Sequence, residues 1–517
     1  MAVQWAQPME QIVDSAMLTL MEMSAQCLAR DPGLQAIEFK KRWYTWGELR
    51  RTADRVNSLI DASGAEVEAR VAFVPRNRPV AVATLFGLIA RNRNVCMLYA
   101  FQSSAGIARD IARLKPAVVI FMAEDVSEEV RSALQAYGIA GIALEGMDAQ
   151  MIPGFDRSTA VCDTPPRAPQ IEILTSGTTG PPKQFALAYE MIFKHIVGVN
   201  VMNTGSEINP AAATPIILFM PIANISGIYT TLPALLHGIR GVLFDRFNIP
   251  EWHDFVLRYR PERGGLPPAG VQMVLDANIP PEDLACMRFL ATGAAPLDPT
   301  VQRAFEERYE IPILLSYGAT EFGGPVTYMT PELHAEWGAK KFGSVGRPFA
   351  GAQLRVIDPN TGEVLPPCEE GILEVIAPRV GPNWIRTADV AVLDEDGFMF
   401  HRGRADGAII RGGFKLLPET IERALLLHPA VSAAGAIGIS DRRLGQVPAA
   451  AVQFKPGLKR PTIAELEAHL RNHVLATHVP VHWRIVEDLP KTPSFKIDRL
   501  ALRPLFEPKT ASSLTKL

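Results

Sequence analysis

The chain has 517 residues, 48% of them hydrophobic, and a formal net charge of -3. That length exceeds what one hydrophobic core usually holds, so at least two domains are expected, and a near-neutral charge mixed in sign offers no basic field for nucleic acid. Five cysteines (Cys27, Cys96, Cys162, Cys286, Cys368) are odd in number, scattered and never in a C-x-x-C pair, which fits reduced thiols in a cytosol. The first residues lack a basic stretch followed by an apolar run, and Glu10 and Asp14 come early, so no signal peptide is expected and a cytoplasmic protein is.

Helical periodicity marks residues 11–30, 45–63 and 80–91, with short apolar strands expected at 71–74, 117–121 and 141–144. Such alternation implies an α/β fold of mainly parallel sheets with helices on their faces. A further apolar strand at 171–174 feeds the run Leu174-Thr175-Ser176-Gly177-Thr178-Thr179-Gly180-Pro181-Pro182-Lys183. Glycines let backbone N–H groups turn toward an anion, hydroxyls add donors and the lysine adds a point charge, which is what a polyphosphate requires. A flexible linker is the alternative, although two prolines and a lysine after an apolar strand suit it poorly. The run is not a Walker A loop, because Pro182 and Gln184 stand where that motif needs glycine and Ser/Thr.

Residues 208–239 hold no Asp, Glu, Lys or Arg, but Pro210, Pro215, Pro221, Gly227 and Pro233 would break a membrane helix. A buried strand at 216–220, a turn and a helix at 227–237 are expected instead, an interior where an apolar substrate could lie. Residues 343–400 change character. Strands at 352–357, 371–376 and 390–393, separated by Asp-Pro-Asn-Thr-Gly and Asp-Glu-Asp-Gly turns, suggest a small β-barrel or distorted sheet. Beyond Gly403-Arg404-Ala405-Asp406-Gly407 the pattern resets to a compact α/β unit, with helices at 418–427 and 463–473 and strands at 433–439 and 449–454. A domain boundary near 406 follows. His469, His473, His478 and His482 recur at intervals of four and five, yet no cysteine or carboxylate set completes a metal site, so a surface-lying amphipathic helix is the preferred reading.

The loop has companions in a fixed order: Ser316-Tyr317-Gly318-Ala319-Thr320-Glu321, Thr387-Ala388-Asp389, Gly403-Arg404-Ala405-Asp406 and Pro490-Lys491-Thr492-Pro493-Ser494-Phe495-Lys496-Ile497-Asp498-Arg499. Together, over roughly residues 40–500, they resemble the adenylate-forming superfamily: acyl- and aryl-CoA ligases, peptide-synthetase adenylation domains and firefly-type luciferases. The resemblance implies an AMP-binding N-terminal domain over 1–405 and a small mobile C-terminal lid over 407–517, hinged at Asp406. It also implies an ATP- and Mg²⁺-dependent carboxylate–CoA ligase, an acid–thiol ligase that forms an acyl adenylate and passes the acyl group to CoA.

Residue by residue, the resemblance gives Thr175, Ser176, Gly177, Thr178, Thr179, Gly180 and Lys183 to the β- and γ-phosphates. Thr320 goes to the α-phosphate and Glu321 to the metal. Gly293, Ala294 and Ala295 form the adenine-side turn, Ser316, Tyr317 and Gly318 the strip beside it, and Asp389 with Arg404 the ribose site. Lys496 is the catalytic cation. An acyl pocket is implied around Asn224, Ile225, Tyr229, Thr292, Gly293, Phe322 and Val326, and a pantetheine passage at Gly412, Gly413 and Phe414. Three positions depart from the family pattern: Phe495 replaces the glycine before the lysine, Ala388 replaces the glycine of Thr-Gly-Asp, and Asn224 stands where many relatives have histidine. The acyl-pocket stretches carry no lysine or arginine, so a mostly apolar aryl, cyclic or medium-chain acid is expected. Loading of a separate carrier protein and nucleotide binding without turnover are the alternatives. The oligomeric state stays open, a homodimer included.

Overall fold

The structure, a computed structural model, describes residues 18–160, 168–175, 183–198, 213–349, 351–405, 407–411, 414–441, 444–492 and 496–506. The chain forms two compact units. One comprises Met1–Gly265, Ala277–Arg288 and Gly318–Pro325, and the other Leu266–Asp276, Phe289–Tyr317 and Val326–Leu517.

The first unit is built on a seven-stranded sheet. Its five central strands, Ala140–Glu145, Val118–Met122, Arg70–Val74, Asn94–Met97 and Gln170–Thr175, run parallel in that spatial order. Asp148–Met151 and Lys183–Ala188 close the edges antiparallel. Most of the central strands are near-continuous apolar runs because helices cover both faces, Gln170–Thr175 with its buried Glu172 being the exception. Val118–Met122 is buried at every position, and Pro79–Ala90 is a helix buried almost all round. The strands expected at 71–74, 117–121 and 141–144 are all present, shifted by a residue or less. The helix expected at 45–63 is Trp46–Ala62: the Thr45 side chain accepts from the Glu48 N–H and Glu48 returns to the Thr45 N–H, closing a capping box.

A second, four-stranded sheet in this unit pairs Ile216–Leu218, Gly241–Leu243 and Gln35–Phe39 in parallel and adds Arg42–Thr45 antiparallel. The described part of the uncharged stretch therefore holds a strand and then the helix Ile225–Leu236, which keeps Pro233 inside it. That helix starts two residues before the expected point, straight after the Pro221 turn. No helix among the described residues is long and apolar enough to cross a membrane, and Cys27, Cys96, Cys286 and Cys368 are free thiols.

In the second unit, Phe289–Thr292 and Ile313–Ala319 pair in parallel, Leu290 opposite Ile313. Gln353–Ile357, Glu370–Ile376, Ile385–Leu393 and Met399–Arg404 form a four-stranded antiparallel sheet with register shifts in both its later pairs. Further along, Phe414–Leu416, Ile409–Arg411, Gly445–Phe454 and Val431–Asp441 make a second sheet, extended by His482–Ile485 running parallel to Gly445–Phe454. The helices Pro418–Leu426 and Ile463–Arg471 cover it through Ile421, Leu425, Leu466 and Leu470. The His469 ring bonds the Ala424 carbonyl at 2.9 Å, meets His428 edge to face and lies tilted against His473, so it belongs to helix packing.

Candidate active site

Each unit carries part of the expected residue set. In the first, Gln170–Thr175 and Lys183–Ala188 pair antiparallel with Thr175 opposite Lys183, and this end of the pair lies at the carboxyl ends of the parallel strands. Open parallel sheets take ligands at that edge. Ser176, Gly177, Thr178, Thr179 and Gly180 lie outside the described residues, and only the backbone of Thr175 and Lys183 is described. The pair is fixed from within. Buried Glu172 accepts from Arg70 Nη2 at 3.1 Å and from the Gln170 and Gln184 amides at 2.9 and 3.1 Å. Gln184, the residue that rules out a Walker A loop, is therefore part of the pair's polar brace.

Thr320, Glu321 and Phe322 make one 3₁₀ turn, ended by Gly323 in the left-handed region at φ 66°. Phe322 turns inward and Glu321 outward, which leaves the carboxylate exposed. Gly318 sits where a Cβ would stand 2.4 Å from Pro325 Cα, so only glycine lets the two ends of this stretch meet. Gly324, at φ 127°, has the Tyr229 ring in the space a side chain would take. Tyr229 thus sets its ring beside a bare glycine backbone, and Ile225 and Phe322 are buried in the same unit.

Asn224 occupies the N-cap of Ile225–Leu236 in extended conformation, yet its side chain makes no capping bond. The turn before it is held by Asn77, absent from every motif. The buried Asn77 amide donates to the Met220 carbonyl and accepts from the Ile222 N–H, both at 3.0 Å. A residue at the carboxyl end of Arg70–Val74 thereby fixes the loop that leads to Asn224.

In the second unit, Thr292, Gly293, Ala294 and Ala295 follow a parallel strand. Thr292 is buried and its hydroxyl donates to Leu266 O at 2.7 Å. A Cβ on Gly293 would stand 2.3 Å from Ser316 Oγ, while Ala294 holds φ 66°, a strained conformation for a residue with a side chain. Val326 is buried in this unit.

Asp389 is the best-defined group. Cross-strand neighbours share a face of a sheet and successive residues alternate. Ala391 pairs with His401, then Val390 with Gly403 and Asp389 with Arg404, so Arg402 is an extra residue on the second strand. That bulge places His401 and Arg404 on the same face as Asp389; without it Gly403 would oppose Asp389 and Arg404 would turn away. Gly403 accepts φ 140° there, and Glu419 fills the space a Cβ would need. The Asp389 carboxylate takes the Tyr317 hydroxyl on Oδ2 at 2.5 Å and has His401 Nε2 3.4 Å and Arg404 Nη1 3.8 Å from Oδ1. Tyr317 and His401 stack at 5.8 Å between centroids. Burial pushes the Asp389 carboxyl up, but His401, the Tyr317 hydroxyl and Arg404 together outweigh it and hold the group below the ordinary carboxylate range. Thr387 bridges Leu373 O and Asp389 N, and Ala388 is not among the residues with positive φ, so alanine fits where the family pattern has glycine.

Lys496 is exposed, on a segment tied by Thr492 N to Lys496 O at 2.7 Å and by Lys491 bridged to Ile497. Three residues on, Arg499 bonds Glu419 and Glu422 at 2.9–3.0 Å and the Ala436 carbonyl at 3.2 Å, anchoring the lysine's segment to helix and sheet. Asp406, Gly412, Gly413 and Phe495 lie outside the described residues, as does the Phe414 side chain. Sequence reasoning missed His401, Asn77 and the Arg499 anchor.

Residues 24–383 match the family model of AMP-binding enzymes, and residues 420–496 match that of the AMP-binding enzyme C-terminal domain. The chain is 29% identical to a sulfoacetate–CoA ligase from Cupriavidus necator, over 74% of this chain and 77% of that one. It is 32% identical to a 2-succinylbenzoate–CoA ligase from Bacillus cereus, over 65% and 70%. A fatty acid–[acyl-carrier-protein] ligase, ScoC, from Streptomyces coeruleorubidus is 24% identical over 96% and 98%. Among solved structures, ATP-bound MatB from Rhodopseudomonas palustris superposes with a TM-score of 0.78 at 21% identity, over 95% of this chain and 99% of that one.

Proposed function

The chain belongs to the AMP-binding enzyme family, and from that premise we propose that it is an ATP-dependent, AMP-forming carboxylate–CoA ligase acting on a mostly apolar aryl, cyclic or medium-chain acid. The observation that carries the reading is the Asp389 cluster: a buried carboxylate kept ionised and fixed through both oxygens, which is what a bidentate acceptor for two ribose hydroxyls needs.

A carboxylate resists acyl transfer because attack would have to expel oxide. In the proposed first step a substrate carboxylate oxygen forms a bond to the α-phosphorus, and the bond to pyrophosphate breaks. The loop from Thr175 to Lys183 holds the outer phosphates, Thr320 donates to the α-phosphate region, and Lys496 places positive charge where negative charge gathers. Glu321, an exposed hard oxygen donor on a tight turn, suits Mg²⁺ held by one carboxylate, substrate phosphates and water; bound there, the ion would neutralise phosphate charge. Adenine rests by Gly293–Ala295 and Tyr317. In the second step the CoA thiol attacks the acyl carbon and AMP leaves. The domain 407–517 turns about Asp406 between the steps, bringing Gly412, Gly413 and Phe414 to the thiol's path.

The proposed substrate class rests on the residues expected at the acyl pocket. Ile225, Tyr229 and Phe322 offer no cation for a second carboxylate, and Asn224, free of a capping role, can bond a neutral oxygen. The enzyme works in the cytoplasm, where its cysteines stay reduced. Likeness to the acyl-carrier-protein ligase over nearly the full chain supports a second reading, in which the acceptor is a carrier's pantetheine. Incubation with ATP, Mg²⁺ and a panel of acids decides between them. Pyrophosphate release with aryl or medium-chain acids and thioester formation on free CoA are expected. Thioester on a carrier alone would favour the second reading, and no pyrophosphate with any acid would defeat both.

A further inference from the structure

His401 lies beside the proposed ribose carboxylate but belongs to no motif, and we propose that it is a positioning residue for nucleotide selection, its Nε2–H orienting Asp389 toward ribose hydroxyls. The inference rests on the ATP reading above. The second dihedral of an aspartate is broad, so one hydrogen bond does not fix the carboxylate plane. Here each oxygen has its own partner: Tyr317 on Oδ2 at 2.5 Å, and His401 at 3.4 Å on Oδ1. An ionised carboxylate only accepts, so the proton of that contact sits on Nε2. Each oxygen keeps a further lone pair for a ribose hydroxyl. A further neighbour of Oδ1, Arg404, is more distant at 3.8 Å and its side chain is 43% exposed, against 16% for His401. Arg404 therefore cannot replace the histidine as an orienting donor.

The stack on Tyr317 separates the two properties of the ring. His401→Phe keeps an aromatic face for Tyr317 and removes the donor, whereas His401→Gln keeps a donor and removes the stack. Equilibrium binding of ATP, 2′-deoxy-ATP and 3′-deoxy-ATP to the full-length protein and both variants tests the assignment, with melting temperatures taken alongside. The wild type should prefer ATP over both deoxy forms. His401→Phe should bind ATP about fivefold to tenfold more weakly and the deoxy forms nearly as before, a loss expected for one hydrogen bond to a charged group. In turnover, KM for ATP should rise with kcat within about twofold, and His401→Gln should recover most of the affinity. Unchanged ATP binding by His401→Phe overturns the proposal. Equal weakening toward all three nucleotides overturns it too, as does equal loss in the glutamine variant, since these are marks of a packing role. A wild type that binds ATP without preference for the hydroxylated sugar sinks this inference alone; one that binds no ATP sinks the ligase reading itself.

Discussion

Removing the Asn77 amide would strand two backbone groups inside a buried turn, the Met220 carbonyl and the Ile222 N–H. Each buried group left without a partner costs roughly 1–3 kcal/mol. Asn77→Leu should therefore lower unfolding stability by about 2–4 kcal/mol, read as a shift of the urea midpoint at constant slope. Because the turn leads to Asn224 and Ile225, KM for the acid should rise while KM for ATP stays close to the wild-type value; a rise in both would detach the turn from the acyl side. Asn77 was not legible in the sequence because its partners lie 143 and 145 residues away. Asp389 and Arg404 were legible, since each sits in a short motif of fixed order. His401 was not, because its place beside Asp389 depends on the extra residue Arg402, and pairing register is decided by the partner strand.

At the scale of elements, the ring contacts among His428, His469 and His473 join the turn after Pro418–Leu426 to Ile463–Arg471. Burial, with a smaller contribution from the His469 charge, holds His428 below its ordinary value despite the opposing pull of Glu465. A histidine whose folded value is depressed binds its proton more readily when unfolded. Stability from this group is therefore present above the unfolded value, near 6.5, and is lost as pH falls through it toward the lower folded value. The melting temperature should drop between about pH 7.5 and about pH 5.5, and the drop should be smaller in His428→Asn. An equal drop in the variant would assign the pH dependence to other groups. Element types were the most legible layer of this fold. Apolar runs gave the central strands and helical periodicity gave the long helices, because burial on both faces and burial along one stripe leave direct marks in composition. The edge strand Lys183–Ala188 escaped notice: an edge carries only two inward apolar residues, Phe185 and Leu187, and the phosphate-loop pattern runs into it.

At the scale of the whole molecule, the proposed reaction assigns its two half-reactions to two conformations, and Lys496 belongs to the first alone. Its segment is tied to the rest of the proposed lid, because Arg499 binds Glu419 and Glu422 of the helix Pro418–Leu426 and the Ala436 carbonyl of the adjacent strand. Charge placed where negative charge develops contributes about a hundredfold to a thousandfold in rate when a single donor is removed elsewhere. Lys496→Ala should therefore cut acid-dependent pyrophosphate exchange by at least about that factor, while the thioester rate from a supplied acyl adenylate and CoA stays within about threefold of wild type. Arg499→Met provides the contrast. It leaves two part-buried carboxylates without their cation, a change expected to cost about 2–3 kcal/mol of stability, below the figure for a fully buried pair, and by loosening the lid it should slow both half-reactions together. If Lys496→Ala slowed both steps equally without lowering the melting temperature, the lysine would serve both steps from one arrangement, and alternation about Asp406 would lose its chemical reason.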